Sequence, residues 1–169
     1  MPMNKIKLRA LEPEDLELLY KIENDVRLWN VGATNVPYSK YTLHDYIANS
    51  TDDIYTDKQL RLMVEDTMGK TVGIVDLMNF SPQHLRAETG IVVMDTERRK
   101  GYATEALNAL CDYASNVLHL HQLYGIVAKD NLAALALYEK SGFSSREVLK
   151  DWLFDGKKYM DAILMQRFL

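Results

Sequence analysis

Apolar residues recur with two different periods along the chain. Between about 101 and 117, Ala103, Ala106, Leu107, Leu110, Ala114 and Val117 fall on one side of a helix, the 3.6-residue repeat of a helix laid on a core. A second helix over 131–140 is marked at both ends. Asp130 or Asn131 can cap its start, and Gly142 can close it in the left-handed conformation. Pro13 suits the first turn of a helix running to about 23, and Thr42 can cap another through about Ser50. Strand patterns occupy 5–10, 59–66, 71–80, 86–94, 122–128, 143–150 and 158–168, with turns at Met68-Gly69-Lys70 and Asp155-Gly156. Residues 25–41 have no period, being interrupted by Trp29, Asn30, Gly32, Asn35, Pro37 and Tyr38. The pattern predicts one α/β (α+β) domain over 1–169, with a twisted mixed central sheet flanked by helices.

The junction between strand 86–94 and helix 101–117 carries the clearest chemistry. It reads Glu97-Arg98-Arg99-Lys100-Gly101-Tyr102-Ala103-Thr104-Glu105. A helix start offers unpaired N–H groups and partial positive charge, which together suit a phosphate. Gly101 lets the backbone approach such a ligand. One glycine, with Lys100 before it, matches neither a P-loop nor a dinucleotide fingerprint. A solvated basic turn is the alternative. Downstream, Asn131 and Tyr138 lie seven residues apart, so they share a helix face roughly 10 Å apart and can touch one elongated ligand.

Charge and composition narrow the partners. The 169 residues carry a formal charge of −4, which argues against a general nucleic-acid binder and makes the basic run at 98–100 a local feature. Cys111 is the only cysteine, so no intrachain disulfide forms and a buried thiol is expected in the 101–117 helix. His44, His84, His119 and His121 show no metal-ligand spacing, and no metal is expected. No apolar run reaches membrane-spanning length. The expected location is cytoplasmic, with no membrane partner. Asp52, Asp53 and Asp57 form an acidic loop, either solvated or attractive to a cation.

Two motifs carry a family resemblance. Arg98-x-x-Gly101-x-Ala103 at a strand-to-helix turn, followed by Asn131-x-x-Ala134-x-x-Leu137-Tyr138-x-Lys140-x-Gly142-Phe143, resembles the GNAT superfamily of acetyl-CoA-dependent N-acetyltransferases. The opening Ile6-Lys7-Leu8-Arg9-Ala10-Leu11-Glu12-Pro13-Glu14-Asp15-Leu16 is similar to the branch holding spermidine and ribosomal-protein N-terminal acetyltransferases. The resemblance covers nearly the whole chain and implies acetyl-CoA as co-substrate. It also implies pantetheine pairing with the main chain of Val92 and Val93. Pyrophosphate would be held by N–H groups from Arg99 through Tyr102 to Ala103, with charge from Arg98, Arg99 and Lys100 and a hydroxyl from Thr104. Asn131 would touch the pantetheine or pyrophosphate, or simply cap its helix.

Acetyl transfer needs a neutral amine, whereas a free alkylamine titrates at about 10.4, so a carboxylate base helps. The resemblance points to Glu88; a solvent-facing or salt-bridged carboxylate, paired for instance with Arg86, is the alternative. Tyr138 is the expected acid for the departing thiolate. The acceptor should enter beside residues 24–48. Val26 through His44 contain no Asp or Glu, although Glu23, Asp25 and Asp45 border that gap; this argues against a polyamine, and Trp29, Tyr38 and Tyr41 suggest an aromatic entrance instead, or pack against the sheet or a partner subunit. The expected acceptor is a primary amine on a small molecule, polyamine or peptide N-terminus. The alternatives are a non-catalytic acyl-CoA sensor and an oligomeric scaffold. A homodimer or larger homo-oligomer is an expected partner state.

Overall fold

The computed structural model describes residues 5–29 and 35–169. Seven strands form one sheet in the order β1-β2-β3-β4-β5-β7-β6. They are β1 (Ile6–Ala10), β2 (Leu60–Asp66), β3 (Thr71–Ser81), β4 (Arg86–Val93), β5 (Gln122–Ala128), β6 (Ser144–Phe154) and β7 (Tyr159–Phe168). Every neighbouring pair is antiparallel except β4 and β5, which run parallel. Parallel strands need a long crossover, and helix α5 (Tyr102–Asn116) supplies it.

Helices cover the two sheet faces unequally. Ala106, Leu107, Leu110, Cys111 and Ala114 of α5 are buried with Val75, Leu77, Ala87 and Leu123 from the strands in the larger core. Helix α6 (Leu132–Lys140) joins that side through Tyr138. On the other face Leu19 of α1 (Leu16–Glu23) and Leu43 of α3 (Lys40–Asn49) pack on Met63 and Ile74. Among the described residues, two four-residue helices, α2 (Val26–Trp29) and α4 (Ile54–Asp57), and two 3-10 turns, at Pro13–Asp15 before α1 and at Asp95–Glu97, complete the set. Among the described residues, no helix is long and apolar enough to cross a membrane.

Several local expectations change. Helix α3 starts at Lys40, capped by Ser39, whose hydroxyl accepts from the Thr42 N–H at 3.0 Å; Thr42 sits inside the first turn. Part of the segment expected to be irregular is helical, as α2 and the start of α3. The acidic loop folds into α4, with Asp53 as its cap and Asp57 accepting from the Thr51 N–H at 3.1 Å. Strand β6 continues to Phe154, past the break expected at 150. Asn131, not Asp130, caps α6, and Gly142 closes it with φ of 83°.

Candidate active site

The site begins with a failure of strand pairing. Strands β4 and β5 are in register only at Arg86–Gln122, Ala87–Leu123 and Glu88–Tyr124. From Thr89 onward β4 has no ladder partner on its β5 side, and β5 beyond Tyr124 pairs only with β7. The two strands thus bound a wedge in which no ladder pairing joins their facing edges, a shape that suits an extended ligand.

The phenol of Tyr138 and the side chain of Thr89 sit at the apex of that wedge. Tyr138 O–H donates to the Thr89 carbonyl at 3.2 Å and lies 2.9 Å from the Thr89 hydroxyl. The Thr89 hydroxyl in turn reaches the Tyr124 carbonyl at 3.2 Å. Gly125 makes this possible, because a β-carbon there would stand 2.6 Å from the tyrosine ring. Phe143 braces the ring edge-on, with centroids 4.9 Å apart. Burial pushes the phenol up to about 12, and the nearby Glu88 charge pushes the same way against the Thr89 hydrogen bond. It therefore stays protonated across the neutral range.

Glu88 stands on the opposite face. Ala87 and Thr89 point into the α5 side, so alternation turns Glu88, Gly90 and Val92 toward α1 and α3. The pairs Ile74–Val92, Asp76–Gly90 and Met78–Glu88 place these residues in one row. Asn79 Nδ2 donates to Glu88 Oε2 at 2.7 Å. The alternative pairing with Arg86 is absent among the described residues. Beside Gly90, Asp76 holds Arg61 through two contacts, 2.7 and 3.0 Å, and Arg61 also pairs with Glu23 of α1. A smaller concavity of about 420 Å³ continues past Arg61, lined by Tyr46, Asp45, Asp52 and Asp57 among others.

A cavity of about 590 Å³ opens between the start of α5 and α6. Its walls include Val93, Arg98, Arg99, Gly101, Tyr102, Ala103 and Thr104, with Ala133, Ala136, Leu137 and Lys140 opposite. Arg99 and Gly101 both have positive φ, 62° and 86°, which turns successive N–H groups inward. No side chain caps α5, so its first N–H groups are left for a ligand. A β-carbon on Gly101 would meet nothing within 4 Å, so the residue serves the backbone turn and not a tight fit. These features fit a pyrophosphate.

The basic run divides by partner. Lys100 binds Glu97 at 2.9 Å, and Glu97 also holds Lys70 from the β2–β3 turn. Arg98 reaches Asp95 at 3.1 Å. Arg99 has no carboxylate partner among the described residues. Of the three basic residues, Arg98 and Arg99 line the cavity, whereas Lys100 braces the loop through Glu97 and is absent from the wall. Asn131 and Tyr138 also lie outside that wall. Asn131 Oδ1 accepts from the Ala134 N–H at 3.2 Å as a cap. Tyr138 points to the wedge.

The expected aromatic entrance is dispersed in role. Trp29 Nε1 donates to the Glu23 carbonyl at 3.1 Å, and Tyr38 packs on the smaller core with its backbone bonded to Asn24. Tyr41 is exposed. Cys111 is buried, and burial pushes its thiol up to about 11, leaving an inert core residue. Pattern reading missed Thr89, Gly125, Asn79, Arg61 and Asp76. Only Gly125 leaves a visible signal, a glycine inside a strand pattern.

Comparison with known proteins adds independent weight. The family model described as "Acetyltransferase (GNAT) domain" matches residues 5–144. The chain belongs to the GNAT acetyltransferase family. A spermidine N(1)-acetyltransferase of Escherichia coli is 33% identical over 165 residues, covering 96% of this chain and 85% of that protein. The crystal structure of spermidine N-acetyltransferase from Vibrio cholerae in complex with CoA and spermine has a TM-score of 0.85 at 28% identity. It covers 97% of this chain and 95% of that one. A dodecameric structure of the Vibrio cholerae enzyme has a TM-score of 0.81 at 30% identity, covering 97% and 94%. This GNAT chain is accordingly an acetyl-CoA-dependent N-acetyltransferase.

Proposed function

We propose that the chain, acting over 1–169 as one cytoplasmic GNAT domain, acetylates a primary amine of a polyamine. The amine enters from the α1/α3 face and acetyl-CoA from the α5/α6 face. The observation that carries this reading is the wedge between β4 and β5, with Glu88 on one face of the sheet and Tyr138 on the other. An acetyl thioester in the wedge meets the amine on the Glu88 side and releases sulfur on the Tyr138 side. The amine nitrogen forms its bond to the acetyl carbon as the carbon–sulfur bond breaks. Glu88 takes the amine proton, directly or through water, and Tyr138 offers its proton to the departing sulfur.

The phenol's raised value limits what Tyr138 does. A thiol titrates at about 8.5, well below the phenol at about 12. Full proton transfer to the thiolate is therefore uphill, and Tyr138 acts chiefly by a charge-assisted hydrogen bond as sulfur becomes anionic. Arg98 and Arg99, with the amides of the turn and the start of α5 from Arg99 through Ala103 and with the Thr104 hydroxyl, hold the pyrophosphate. The Val92–Val93 edge pairs with pantetheine, and Asn131 fixes the start of α6 beside it.

Polyamine preference rests on carboxylates brought together from distant parts of the chain. Glu23 and Asp76 enclose Arg61 on the acceptor face, Glu88 stands one row along from Asp76, and Asp45, Asp52 and Asp57 line the adjoining concavity. The acid-free stretch at 26–44 is bypassed because the charge comes from other segments. Both relatives described above act on, or are seen with, spermidine or spermine, and the dodecameric relative supports self-association of this chain.

Release of free CoA thiol across spermidine, spermine, a monoamine and a short peptide tests the acceptor. The polyamines should exceed the monoamine by at least about tenfold in kcat/KM, an effect of about 1.4 kcal/mol. Equal or better turnover of the peptide overturns the polyamine reading. No release with any amine, despite acetyl-CoA binding, leaves a sensor. Tyr138→Phe should lower kcat by about 10²-fold or more with little change in acetyl-CoA affinity.

A further inference from the structure

Strand β3 carries one residue too many opposite Glu88. Met78 pairs with Glu88, and the ladder resumes with Ser81 opposite Arg86. Three steps along β3 thus match two along β4, which defines a β-bulge. Regular alternation would put Asn79 on the α5 face and Phe80 on the Glu88 face. The bulge exchanges them. Phe80 is buried in the larger core, and Asn79 takes φ of 49° and turns outward to Glu88. Asparagine is among the few residue types that accept this backbone region at low cost.

The contact made by this turn is specific in chemistry. An amide N–H₂ gives Glu88 a donor that carries no charge, so it orients the carboxylate without neutralising it. It occupies Oε2 at 2.7 Å. The groups around Glu88 are Arg86 on its own strand, Tyr124 on β5, Tyr138 on α6 and Asp76 one row along β3. We propose that Asn79 is a positioning residue for acetyl transfer, holding Glu88 by one oxygen and leaving Oε1 to take the acceptor's proton. The proposal rests on the reading of Glu88 as the base.

The test is the pH dependence of kcat and kcat/KM for wild type, Asn79→Gly, Asn79→Asp and Glu88→Gln, with the best amine of the panel. Glycine keeps the left-handed backbone and removes the side chain with its amide. Asn79→Gly should lower kcat about tenfold, against the 10²–10⁴ a base contributes, with acetyl-CoA KM unchanged. Its acid limb should move to higher pH, because the charged carboxylate loses a donor. Asn79→Asp should move that limb further, by about one unit, by setting a like charge beside Glu88. An unmoved limb in both variants, whatever the loss of kcat, overturns the positioning role. If Glu88→Gln keeps wild-type turnover and profile, the base reading fails and takes this proposal with it. If Glu88→Gln is inactive while both Asn79 variants behave as wild type, only the Asn79 proposal fails.

Discussion

At Gly125 the sheet has no room for a side chain. A β-carbon would stand 2.6 Å from Cε1 of Tyr138, 2.8 Å from Cζ and 2.9 Å from the hydroxyl oxygen. The ring cannot retreat, because Phe143 packs against it and the phenol is anchored on Thr89. Gly101 is the opposite case: its φ of 86° demands glycine, but nothing stands near. Gly125→Ala should therefore act by overpacking, costing about 1–3 kcal/mol of stability, and should push the phenol off Thr89. Urea unfolding would read the first effect. A drop in kcat larger than any change in acetyl-CoA affinity would read the second. Wild-type values for both would show that the ring shifts freely and that its tight seat is irrelevant to turnover.

Between β4 and α5, Glu97 is a buried carboxylate gripped by two lysines from different segments. The hydrogen bonds from Lys70 and then Lys100 hold it down to about 2, against an ordinary value of 4.5. A depressed folded value means the contribution to stability is complete above about 4.5 and disappears as pH falls toward about 2. Wild-type unfolding free energy should decline across that window, and Glu97→Gln should be less stable at neutral pH with a shallower decline. Because Lys100 also shapes the anion turn, the variant should raise acetyl-CoA KM more than it lowers kcat. Parallel acid slopes in the two proteins would remove Glu97 as the cause. Elements of this loop region were readable in proportion to how local their causes are. Helix α5 was plain because fifteen residues repeat one apolar face. Helices α2 and α4 span four residues each and have no period to detect. The end of β6 was hidden by Lys150-Asp151, where Asp151 takes φ of 50° inside the strand. The anion turn declared itself in one continuous run. The wedge did not, because an absent ladder leaves no sequence mark, and Thr89 meets Tyr138 across 49 positions.

The seven-stranded sheet ends at β6, an eleven-residue edge strand that is exposed along most of its length. Long edges with apolar side chains invite another strand or surface. Here Val148, Trp152 and Phe154 on β6 and Tyr159 on β7 remain exposed, Trp152 by 55%. The cavity proposed for acyl-CoA is walled by the 98–101 turn, α5, α6 and the end of β4, with no residue of β6 or β7. Assembly through the hairpin and cofactor binding should therefore be separable. Sedimentation should show a species larger than the 19.4 kDa chain. The pair Trp152→Glu and Phe154→Lys should shift it toward that mass, while acetyl-CoA affinity stays within about twofold, since side chains that share no partner rarely couple strongly. A wild-type protein that sediments as a single chain ends the self-association reading. An unshifted oligomer in the variant moves the interface away from this hairpin. Loss of acetyl-CoA binding on dissociation would mean that the cavity is completed or held in shape by assembly, contrary to the independence argued from its walls.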